Sequence, residues 1–323
     1  MNNVTVAICA YNAAKYIEET LTCIINQKFQ KFDLLIINDC STDNTRELVI
    51  NFFKKHPRQY SLVDFDVNKG LAAGRYFVEH HVTTKYLLFI DADDCPYPNL
   101  VEKLYNKISS DDDLMAVGCY HEFIDSVGKK IGGGIFLGAT SKEAFYDKAR
   151  RKKLIFMQPT AIINREALIS VGGRNIHGFF DGRPRYQDLC EDLDLWARMS
   201  DLYVNGKAIV VVPEILCRYR KHEQALTSNS LGMILRMRHI KTNLLRRRAG
   251  QAELTFVEFY NSISYKEMVE LKHKSKAADC LRNGVYLAKK GNFIDAVSNI
   301  LQSVWADPGY LLQKIKANSG LFR

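Results

Sequence analysis

The sequence predicts an α/β protein: a doubly wound, mostly parallel sheet with flanking helices, followed by a small C-terminal all-helical domain. Two observations support this fold class. Within residues 1–120, short apolar runs rich in β-branched residues alternate with segments whose apolar residues recur at helical spacing. From about residue 229 onwards the pattern is helical. The chain of 323 residues is long enough for one large α/β domain and a helical appendage.

The strands and helices of the first 120 residues alternate regularly. In chain order they are a strand at Val4–Cys9, a helix with Ala13, Ile17, Leu21, Ile24 and Ile25 on one face, a strand at Asp33–Asp39, a helix capped by Ser41 or Thr42, a strand at Tyr60–Phe65, a helix at Leu71–His81, a strand at Tyr86–Ile90, a helix at Asn99–Ile108 and a strand at Met115–Tyr120. Strands that are apolar on both faces are typical of a parallel sheet covered by helices on both sides. Such sheets bind ligands at the carboxyl ends of their strands.

The region beyond residue 120 is less regular. We predict strands at Thr160–Ile163 and Ile209–Val212, a helix at Glu191–Met199, and a turn or bulge at Gly132–Gly134. The predicted first domain is residues 1–228, with halves at 1–120 and 121–228, and the helical domain is residues 229–323. In the helical domain one set of spacings resembles a tetratricopeptide-like helix pair, formed by Gly284, Leu287, Gly291, Ala296 and Pro308.

Composition excludes several classes of protein. Hydrophobic residues make up 47% of the chain and charged residues 25%, which excludes a disordered or collagen-like chain. The eight cysteines include no Cys-x-x-Cys pair, so we expect reduced thiols rather than a zinc site or a redox motif. No apolar run approaches the roughly 20 residues that span a bilayer, and we find no signal peptide. We therefore expect a cytoplasmic protein.

The basic charge favours anionic partners. The formal net charge is +9, which suits nucleotides, nucleic acid or an anionic membrane surface. The basic stretch Arg236–Arg248 contains no aromatic residue, and this argues against a single-stranded nucleic-acid surface. We expect the basic C-terminal helices to make peripheral contact with the anionic inner face of the cell membrane.

Acidic residues follow predicted strands or begin a helix at three positions. Asp39 ends the second strand, Asp91 and Asp93 follow the fourth, and Glu191 and Asp192 begin the later helix. Two carboxylates at positions i and i+2 repel each other unless a positive group lies between them. A hard divalent cation with oxygen ligands supplies that charge. The Asp91 and Asp93 pair therefore predicts Mn²⁺ or Mg²⁺, with substrate phosphates completing the coordination.

Six motifs stand in the order typical of glycosyltransferase family 2, which the chain resembles over roughly residues 3–225. They are Val6–Asn12, Ile37–Asp43, Asn68–Arg75, Asp91–Asp94, Glu191–Trp196 and Tyr219–His222. Each motif alone is weak evidence, whereas six in the family's order are a strong signal. The resemblance implies a GT-A fold and a nucleotide-diphospho-sugar donor.

The resemblance also implies a role for each matching residue. The nucleotide-sugar would be bound by Ala10, Tyr11, Asn12, Asp39, Lys69, Gly70, Arg75, Asp91 and Ala92. Within this set, Asp39 would accept a hydrogen bond from a uracil base and Asp91 would contact the ribose. Asp93 and His222 would hold the metal. Asp192 would be the catalytic base, with Glu191 beside it.

The chain departs from the family pattern in two places. Ala10 stands where the family usually has proline. The link Arg174–Cys190 is longer than in many members, and its Arg183 and Arg185 suit an anionic acceptor. Trp196, one turn after Asp192, would be a core residue or a wall of the acceptor site.

These features predict an inverting, metal-dependent glycosyltransferase that moves one sugar to a hydroxyl group. The acceptor would be a glycan, a lipid-linked glycan or a protein, and the pathway the synthesis of a cell-surface polysaccharide. The absence of a Gln-x-x-Arg-Trp motif argues against a processive synthase. The alternatives are a catalytically inactive nucleotide-sugar-binding module and a basic membrane- or nucleic-acid-binding module. A sugar-nucleotide pyrophosphorylase would need a Gly-rich first loop, which Ala10–Ala13 does not provide.

Overall fold

A computed structural model of the chain describes residues 2–222, 229–289, 291–310 and 312. Contacts divide them into two compact units. The first unit contains residues 2–177, 190–222 and 240–252, and the second contains residues 178–189, 229–239 and the described residues beyond 252. The two units interleave along the sequence. The predicted domain boundary after residue 228 falls at residues 223–228, which lie outside the described residues.

The first unit is built on nine strands. These are β1 (Val4–Ala10), β2 (Asp33–Asn38), β3 (Ser61–Asp64), β4 (Tyr86–Asp91), β5 (Cys95–Pro96), β6 (Leu114–Ile124), β7 (Lys130–Ile135), β8 (Ala161–Asn164) and β9 (Ala208–Arg220). They form one sheet in the order β3-β2-β1-β4-β8-β6-β9-β5, with β7 paired to β6.

Eleven helices accompany the strands in the described part of the chain. They are α1 (Ile17–Ile25), α2 (Thr45–Lys55), α3 (Leu71–His81), α4 (Leu100–Ser109), α5 (Lys142–Arg150), α6 (Arg165–Ser170), α7 (Glu191–Met199), α8 (Ser230–Arg248), α9 (Phe256–Asn261), α10 (Tyr265–Lys289) and α11 (Phe293–Ala306). Among the described helices, none is long and apolar enough to cross a bilayer.

The sheet is parallel in its first half and mixed in its second. β3, β2, β1 and β4 run parallel, as predicted from their doubly apolar sequences. β8 runs antiparallel to both β4 and β6, and β7 runs antiparallel to β6. The chain steps from β1 outward to β2 and β3, then returns to the other side of β1 for β4. The carboxyl ends of β1 and β4 therefore flank the switch point at which open α/β sheets bind ligands.

The predicted elements are confirmed, with differences that have local causes. Helix α2 begins at Thr45, so the predicted caps Ser41 and Thr42 are wrong. Both residues instead hydrogen bond to Asn12 on the neighbouring loop. The predicted turn or bulge at Gly132–Gly134 is present as an irregularity inside strand β7, where the pairing with β6 shifts register between Glu122 and Ile124 and where Gly132 and Gly133 have positive φ.

The second unit has its own small core. Leu235, Phe256, Phe259 and Leu271 are buried together, and Phe179 and Tyr186 pack against them. The predicted helix pair is present as α10 and α11. Gly284 brings α10 against α11, because a side-chain carbon there would lie only 2.9 Å from Ile300 and 3.0 Å from the Ala296 carbonyl oxygen.

The basic stretch Arg236–Arg248 in α8 does not form the free cationic surface expected from the sequence. Arg236 is fully buried and donates to the Leu189 carbonyl oxygen at 3.2 Å. In the first unit, Arg247 and Arg248 both bind the Asp201 carboxylate. Much of the positive charge of this stretch is therefore compensated within the protein and not displayed to an anionic surface.

Candidate active site

Polar side chains gather at the carboxyl ends of β1 and β2. Asp39 is buried and its carboxylate accepts hydrogen bonds from the backbone N–H groups of Lys69 and Gly70, at 2.7 and 2.8 Å, and from the Asn68 side chain at 2.9 Å. Gly70, at φ +93°, has a backbone conformation that a side chain would strain. Asp39 thus fixes the loop that begins α3, and its predicted contact with a nucleobase remains a prediction.

Asn12 joins two neighbouring loops. Its side-chain oxygen accepts from the Thr42 N–H at 2.8 Å, and its own N–H donates to the Ser41 hydroxyl at 3.1 Å. The preceding Tyr11 is exposed, and Ala10 is buried at the end of β1. The first motif therefore presents one aromatic ring at the switch point, on a loop held by hydrogen bonds.

The acidic turn after β4 directs its carboxylates to different places. Asp91 is partly buried and forms an ion pair with Arg75. Asp93 is partly exposed and lies beside His222, while Asp94 is buried and accepts from the Arg220 N–H at 3.0 Å. Burial raises the pKa of the Asp94 carboxyl well above its usual value. Asp94 is therefore structural, and Asp93 is the member of the turn that is open to a ligand.

Asp93 and His222 make a pair suited to a divalent cation. Asp93 Oδ2 and His222 Nε2 are 2.7 Å apart, and both side chains remain partly exposed. The described residues do not assemble three or more His, Cys, Asp or Glu side chains into a metal cage. One carboxylate and one imidazole fit Mn²⁺ or Mg²⁺ when phosphate oxygens and water complete the coordination.

Arg220 braces the acidic turn from behind. The residue is 2% exposed, and its Nε donates to the Asp93 carbonyl oxygen at 2.8 Å. Its Nη2 pairs with Glu19 on α1 at 2.6 Å. The guanidinium therefore ties the end of β9 to α1 and to the main chain of Asp93. No motif in the sequence identifies Arg220 as a bracing residue rather than a surface cation.

A buried chain of alternating charges runs behind the site. It consists of Glu79, Arg174, Glu191, Arg75 and Asp91, each paired with the next, and we call it the buried ionic chain. Its three central members are at most 5% exposed, as is Glu79. Because adjacent members carry opposite charges, the chain satisfies charges that would be costly to bury alone.

Arg75 belongs to this chain, which changes its predicted role. Its guanidinium is 2% exposed and is engaged by Asp91 on one side and Glu191 on the other. A side chain held in this way is not positioned to contact a donor diphosphate directly. Lys69, by contrast, is exposed, and its ammonium lies over the Phe65 ring.

Asp192 differs from Glu191 beside it, because its carboxylate is open to accept a proton. It lies in the first turn of α7 and is partly exposed. Among the described residues its carboxylate has no side-chain partner, whereas both oxygens of the adjacent Glu191 are bound by arginines. Burial, followed by the nearby Glu191 charge, raises the pKa of Asp192 to about 7. A carboxylate with this pKa is suited to accept a proton near neutral pH.

The residues predicted for the acceptor site have different outcomes. Trp196 is fully buried and donates from Nε1 to the Met157 carbonyl oxygen at 3.1 Å, so of its two predicted roles the structure supports the core residue and not the acceptor wall. It is a core residue because the apolar face of α7 packs onto the sheet. Arg183 and Arg185 lie in the second unit, on residues 178–189, and their role in acceptor binding remains a prediction.

The sequence did not identify Arg174 or Glu79 as partners. They are 95 positions apart, and no spacing rule relates them. The one local signal is Gly173 at φ +65°, where a side-chain carbon would lie 2.8 Å from a Glu79 carboxylate oxygen. This close approach also lets the Arg174 N–H donate to Glu79 at 2.8 Å.

The chain is similar in sequence to known glycosyltransferases. An uncharacterised glycosyltransferase of Haemophilus influenzae is 24% identical over 88% of this chain and 84% of its own length. A teichoic acid poly(glycerol phosphate) polymerase of Staphylococcus epidermidis is 34% identical over 36% of this chain, which corresponds to 16% of the polymerase. Glycosyltransferase GlyA of Streptococcus pneumoniae is 30% identical over 54% of this chain and 24% of its own length.

Solved structures share the fold. The TarS fragment 1–349 of S. aureus, in complex with UDP-GlcNAc, superposes with a TM-score of 0.56 at 17% identity, covering 93% of this chain and 90% of that one. The mannosyltransferase PcManGT of Pyrobaculum calidifontis, in complex with GDP-Man and Mn²⁺, gives a TM-score of 0.53 at 18% identity, covering 99% and 81%. These likenesses confirm the GT-A fold with a helical C-terminal region.

The family model described as Glycosyl transferase family 2 matches residues 5–172, just over half of the chain. This segment contains the carboxyl ends of β1, β2 and β4 and the acidic turn. The chain is a glycosyltransferase and belongs to glycosyltransferase family 2.

Proposed function

We propose that this glycosyltransferase moves one sugar from a UDP-linked donor to an acceptor hydroxyl, with inversion of configuration and with the help of Mn²⁺ or Mg²⁺. The acceptor would be a glycan, a lipid-linked glycan or a protein in the synthesis of a cell-surface polysaccharide. The polymer named for the Staphylococcus epidermidis relative supports this setting. The UDP and UDP-GlcNAc bound to TarS support a uridine donor.

The observation that carries the proposal is the buried ionic chain. Asp91 at one end adjoins the turn of Asp93, and Glu191 adjoins Asp192. Arg75 lies between them and interacts electrostatically with both Asp91 and Asp192. The two groups that the reaction needs, a metal-binding carboxylate and a base, thus each adjoin a member of the same buried ionic chain.

In the proposed reaction Asp192 takes the proton of the acceptor hydroxyl as that oxygen attacks the anomeric carbon. Glu191 does not exchange protons, because Arg75 and Arg174 hold its two oxygens. Its fixed negative charge helps to keep the pKa of Asp192 near 7, so that Asp192 can release and accept a proton at neutral pH. A single displacement by the acceptor inverts the anomeric configuration.

Asp93 and His222 would hold the divalent cation, with the donor diphosphate as its other ligand. When bound, the cation acts as a Lewis acid that stabilises the charge developing on the departing diphosphate. Asp93 is the member of the acidic turn suited to this role, since Asp91 is paired with Arg75 and Asp94 is buried.

Membrane contact is the part of the proposal that the structure changes. We now place it on α11, whose exposed apolar side chains form a stripe along one face: Ile294, Val297, Leu301 and Trp305. We call this the α11 stripe. Ile294 is 85% exposed and Trp305 is 84% exposed. Lys276 of α10 lies over the Trp305 ring, so a cation borders the stripe. An apolar stripe bordered by lysine suits an anionic bilayer surface.

The test of the reaction is a panel of nucleotide-sugars with and without Mn²⁺, read by thermal shift and nucleotide release. We expect one UDP-sugar to raise the melting temperature only when metal is present. At a donor concentration 100 times Kd, binding should raise the free energy of unfolding by about 2.7 kcal/mol. Asp93→Asn should remove the metal-dependent gain. Asp192→Asn should keep it and lose at least 100-fold in transfer rate.

Two outcomes would contradict the proposal. Undiminished transfer by Asp192→Asn would mean that another group is the base. A response to GDP-sugars and none to UDP-sugars would overturn the assignment of the donor. Control measurements use Asp112→Asn, an exposed carboxylate on the β6 side of the unit that should behave as the wild-type protein does.

A further inference from the structure

The first unit has an open pocket that none of the residues assigned to the proposed reaction lines. Its volume is about 520 Å³, which lies within the roughly 300–1,000 Å³ of pockets that bind small molecules. Besides the backbone of Gly138, its lining consists of apolar and basic side chains, and no carboxylate of the described chain belongs to it. These side chains are Leu137, Leu154, Phe156, Lys148, Lys153 and Lys241.

The segment before β8 supplies an apolar wall that is anchored in the core. Ile155 and Met157 are buried, and the Met157 carbonyl oxygen accepts a hydrogen bond from Trp196 at 3.1 Å. Between them Phe156 is 42% exposed, and Leu154 is half-buried. The alternation of buried and accessible side chains thus holds Leu154 and Phe156 at the pocket, where water contacts an aromatic ring.

The loop after β7 forms another part of the lining and lies directly on the sheet. Gly138, at φ +123°, approaches β9 so closely that a side-chain carbon there would lie 2.3 Å from Val211 Cγ1. The next residue, Ala139, accepts a hydrogen bond from the Val211 N–H at 2.8 Å through its carbonyl oxygen. Leu137 is therefore held at the pocket by the backbone that follows it, although its side chain is half exposed.

Three lysines from two helices give the pocket its positive charge. Lys148 lies on α5, Lys153 follows that helix, and Lys241 lies on α8. The Lys148 Nζ lies 3.5 Å from the Gly138 carbonyl oxygen, and the Lys241 Nζ donates to the Lys152 carbonyl oxygen. Neutral carbonyl groups orient these two ammonium groups but do not offset their charge.

The charge of these lysines is not compensated as it is elsewhere in the unit. In the part of the chain that the structure describes, none of the three forms an ion pair, whereas Lys142 on the same helix α5 pairs with Asp111 at 2.9 Å and with Asp113 at 3.2 Å. The negative end of the α5 dipole favours cations near its C-terminus, which accounts for Lys148. It does not account for Lys241, which another helix brings to the same pocket.

We propose that this pocket binds a single-chain lipid phosphate. The phosphate group lies among the three ammonium groups, which bind phosphate as point charges. The alkyl chain covers Leu137, Leu154 and Phe156 and removes their apolar surface from water. The aliphatic stems of the lysines extend this apolar wall up to the charged groups.

Both halves of this ligand are required by the lining. A neutral lipid would leave the charge of three neighbouring lysines without compensation, and free phosphate would leave the apolar wall in water. A lipid cation would be repelled by all three ammonium groups. The site goes beyond the proposed sugar transfer and does not depend on it, because the residues of the pocket and those of the proposed reaction are different.

The experiment is isothermal titration calorimetry of the full chain with decyl phosphate, kept below its critical micelle concentration. We expect saturable binding of one molecule per chain. Three further probes separate the contributions: decyl maltoside has the chain without the charge, decyltrimethylammonium has the opposite charge, and inorganic phosphate has no chain. Each should bind at least about tenfold more weakly than decyl phosphate, which corresponds to about 1.4 kcal/mol.

Substitutions in the lining test its two parts. Lys148→Gln and Lys241→Gln should each weaken the binding of decyl phosphate by about fivefold, and Phe156→Ser should weaken it by about tenfold. The melting temperatures of the three variants without ligand confirm that they are folded. The matched control is Lys103→Gln, which removes a half-exposed lysine of α4 that is paired with Glu214 and should bind as the wild-type protein does.

Several results would overturn the proposal. They are the absence of decyl phosphate binding, equal binding of decyl maltoside or of inorganic phosphate, and wild-type affinity in both lysine variants or in Phe156→Ser. Heat that appears only above the micelle concentration would show a response to an aggregate surface and would also overturn the pocket. Leu301→Gln with Trp305→Gln, which alters the α11 stripe, should bind decyl phosphate normally; a loss in this variant would move the site away from the pocket.

Discussion

At the residue scale, two adjacent carboxylates have opposite environments. Glu191 is buried and bound by two arginines, and Asp192 is partly exposed without a side-chain partner among the described residues. Burial alone would raise the pKa of Glu191, but Arg174 and Arg75 hold it below its usual value. The pKa of Asp192 is raised to about 7. One carboxylate therefore keeps its charge, and the other can exchange a proton.

This difference predicts the effect of Glu191→Gln. The substitution leaves two buried guanidinium groups without their shared anion, which should lower the free energy of unfolding by about 3 kcal/mol. Urea denaturation would measure the loss. The matched control is Glu214→Gln, which breaks the half-exposed ion pair with Lys103 and should cost less than about 1 kcal/mol. Equal stability of Glu191→Gln and the wild-type protein would mean that the buried ionic chain does not stabilise the fold.

The sequence singled out Asp192 as a candidate base but could not show which partners its neighbours have. Asp192 stands at the start of an amphipathic helix, and this is a local pattern that a short sequence motif can reveal. Arg75 stands in a motif too, yet its partners Asp91 and Glu191 come from distant segments. Whether an arginine points to a ligand or into the protein depends on such tertiary contacts. The same reason explains Trp196, whose burial follows from how α7 packs onto the sheet.

At the scale of elements, the spacing of apolar residues predicted the helices whose limits depend on the local sequence. α3 and α7 begin and end where their apolar spacing indicates. β9 extends over Ala208–Arg220, although only Ile209–Val212 was predicted. Pro213 and Glu214 interrupt its apolar pattern, and pairing with β6 continues beyond them with register shifts. Pairing with β6 determines how far β9 extends, so the sequence of β9 alone could not predict its full length.

Helix α11 carries the prediction that belongs to this scale. Leu301→Gln and Trp305→Gln together replace two exposed side chains of the α11 stripe, so the fold should tolerate them. If the stripe enters a bilayer, each substitution should weaken the free energy of membrane binding by about 1 kcal/mol, because less apolar surface is buried. Vesicle binding should then fall by roughly tenfold or more. Co-sedimentation with phosphatidylglycerol–phosphatidylcholine vesicles would measure it.

The control for this experiment is Val127→Gln, which changes an exposed apolar residue on the β6–β7 turn and should bind as the wild-type protein does. Unchanged pelleting of the double variant would contradict membrane contact through α11. Dimers of the wild-type protein in size-exclusion chromatography, with no vesicle binding, would instead assign the stripe to contact between copies of this chain.

At the scale of the whole molecule, the ionisation of Asp192 links the proposed activity to the stability of the fold. The raised pKa of Asp192 means that the folded protein holds a proton which the unfolded chain has already released. Well below pH 3.8, the ordinary pKa of an aspartate, the carboxyl is protonated in both states, so it has no differential effect. As pH rises from about 4 to 7, the unfolded state binds fewer protons than the folded state, and the free energy of unfolding falls. Above pH 7 Asp192 is ionised in the folded protein as well, and the full cost of burying its charge then lowers the free energy of unfolding.

Transfer and stability should therefore change in opposite directions with pH. We expect kcat/KM to rise with pH through about 7, because the base must be ionised. Over the same range the free energy of unfolding of Asp192→Asn should exceed that of the wild-type protein by an increasing amount, of the order of 2 kcal/mol at pH 8, since asparagine bears no charge to desolvate. Urea unfolding at pH 5.5, 7 and 8.5, with Asp112→Asn as the control, would measure the difference. A difference that stays constant across this range would show that Asp192 ionises as an ordinary carboxylate, and the rate would then lose its expected rise near pH 7.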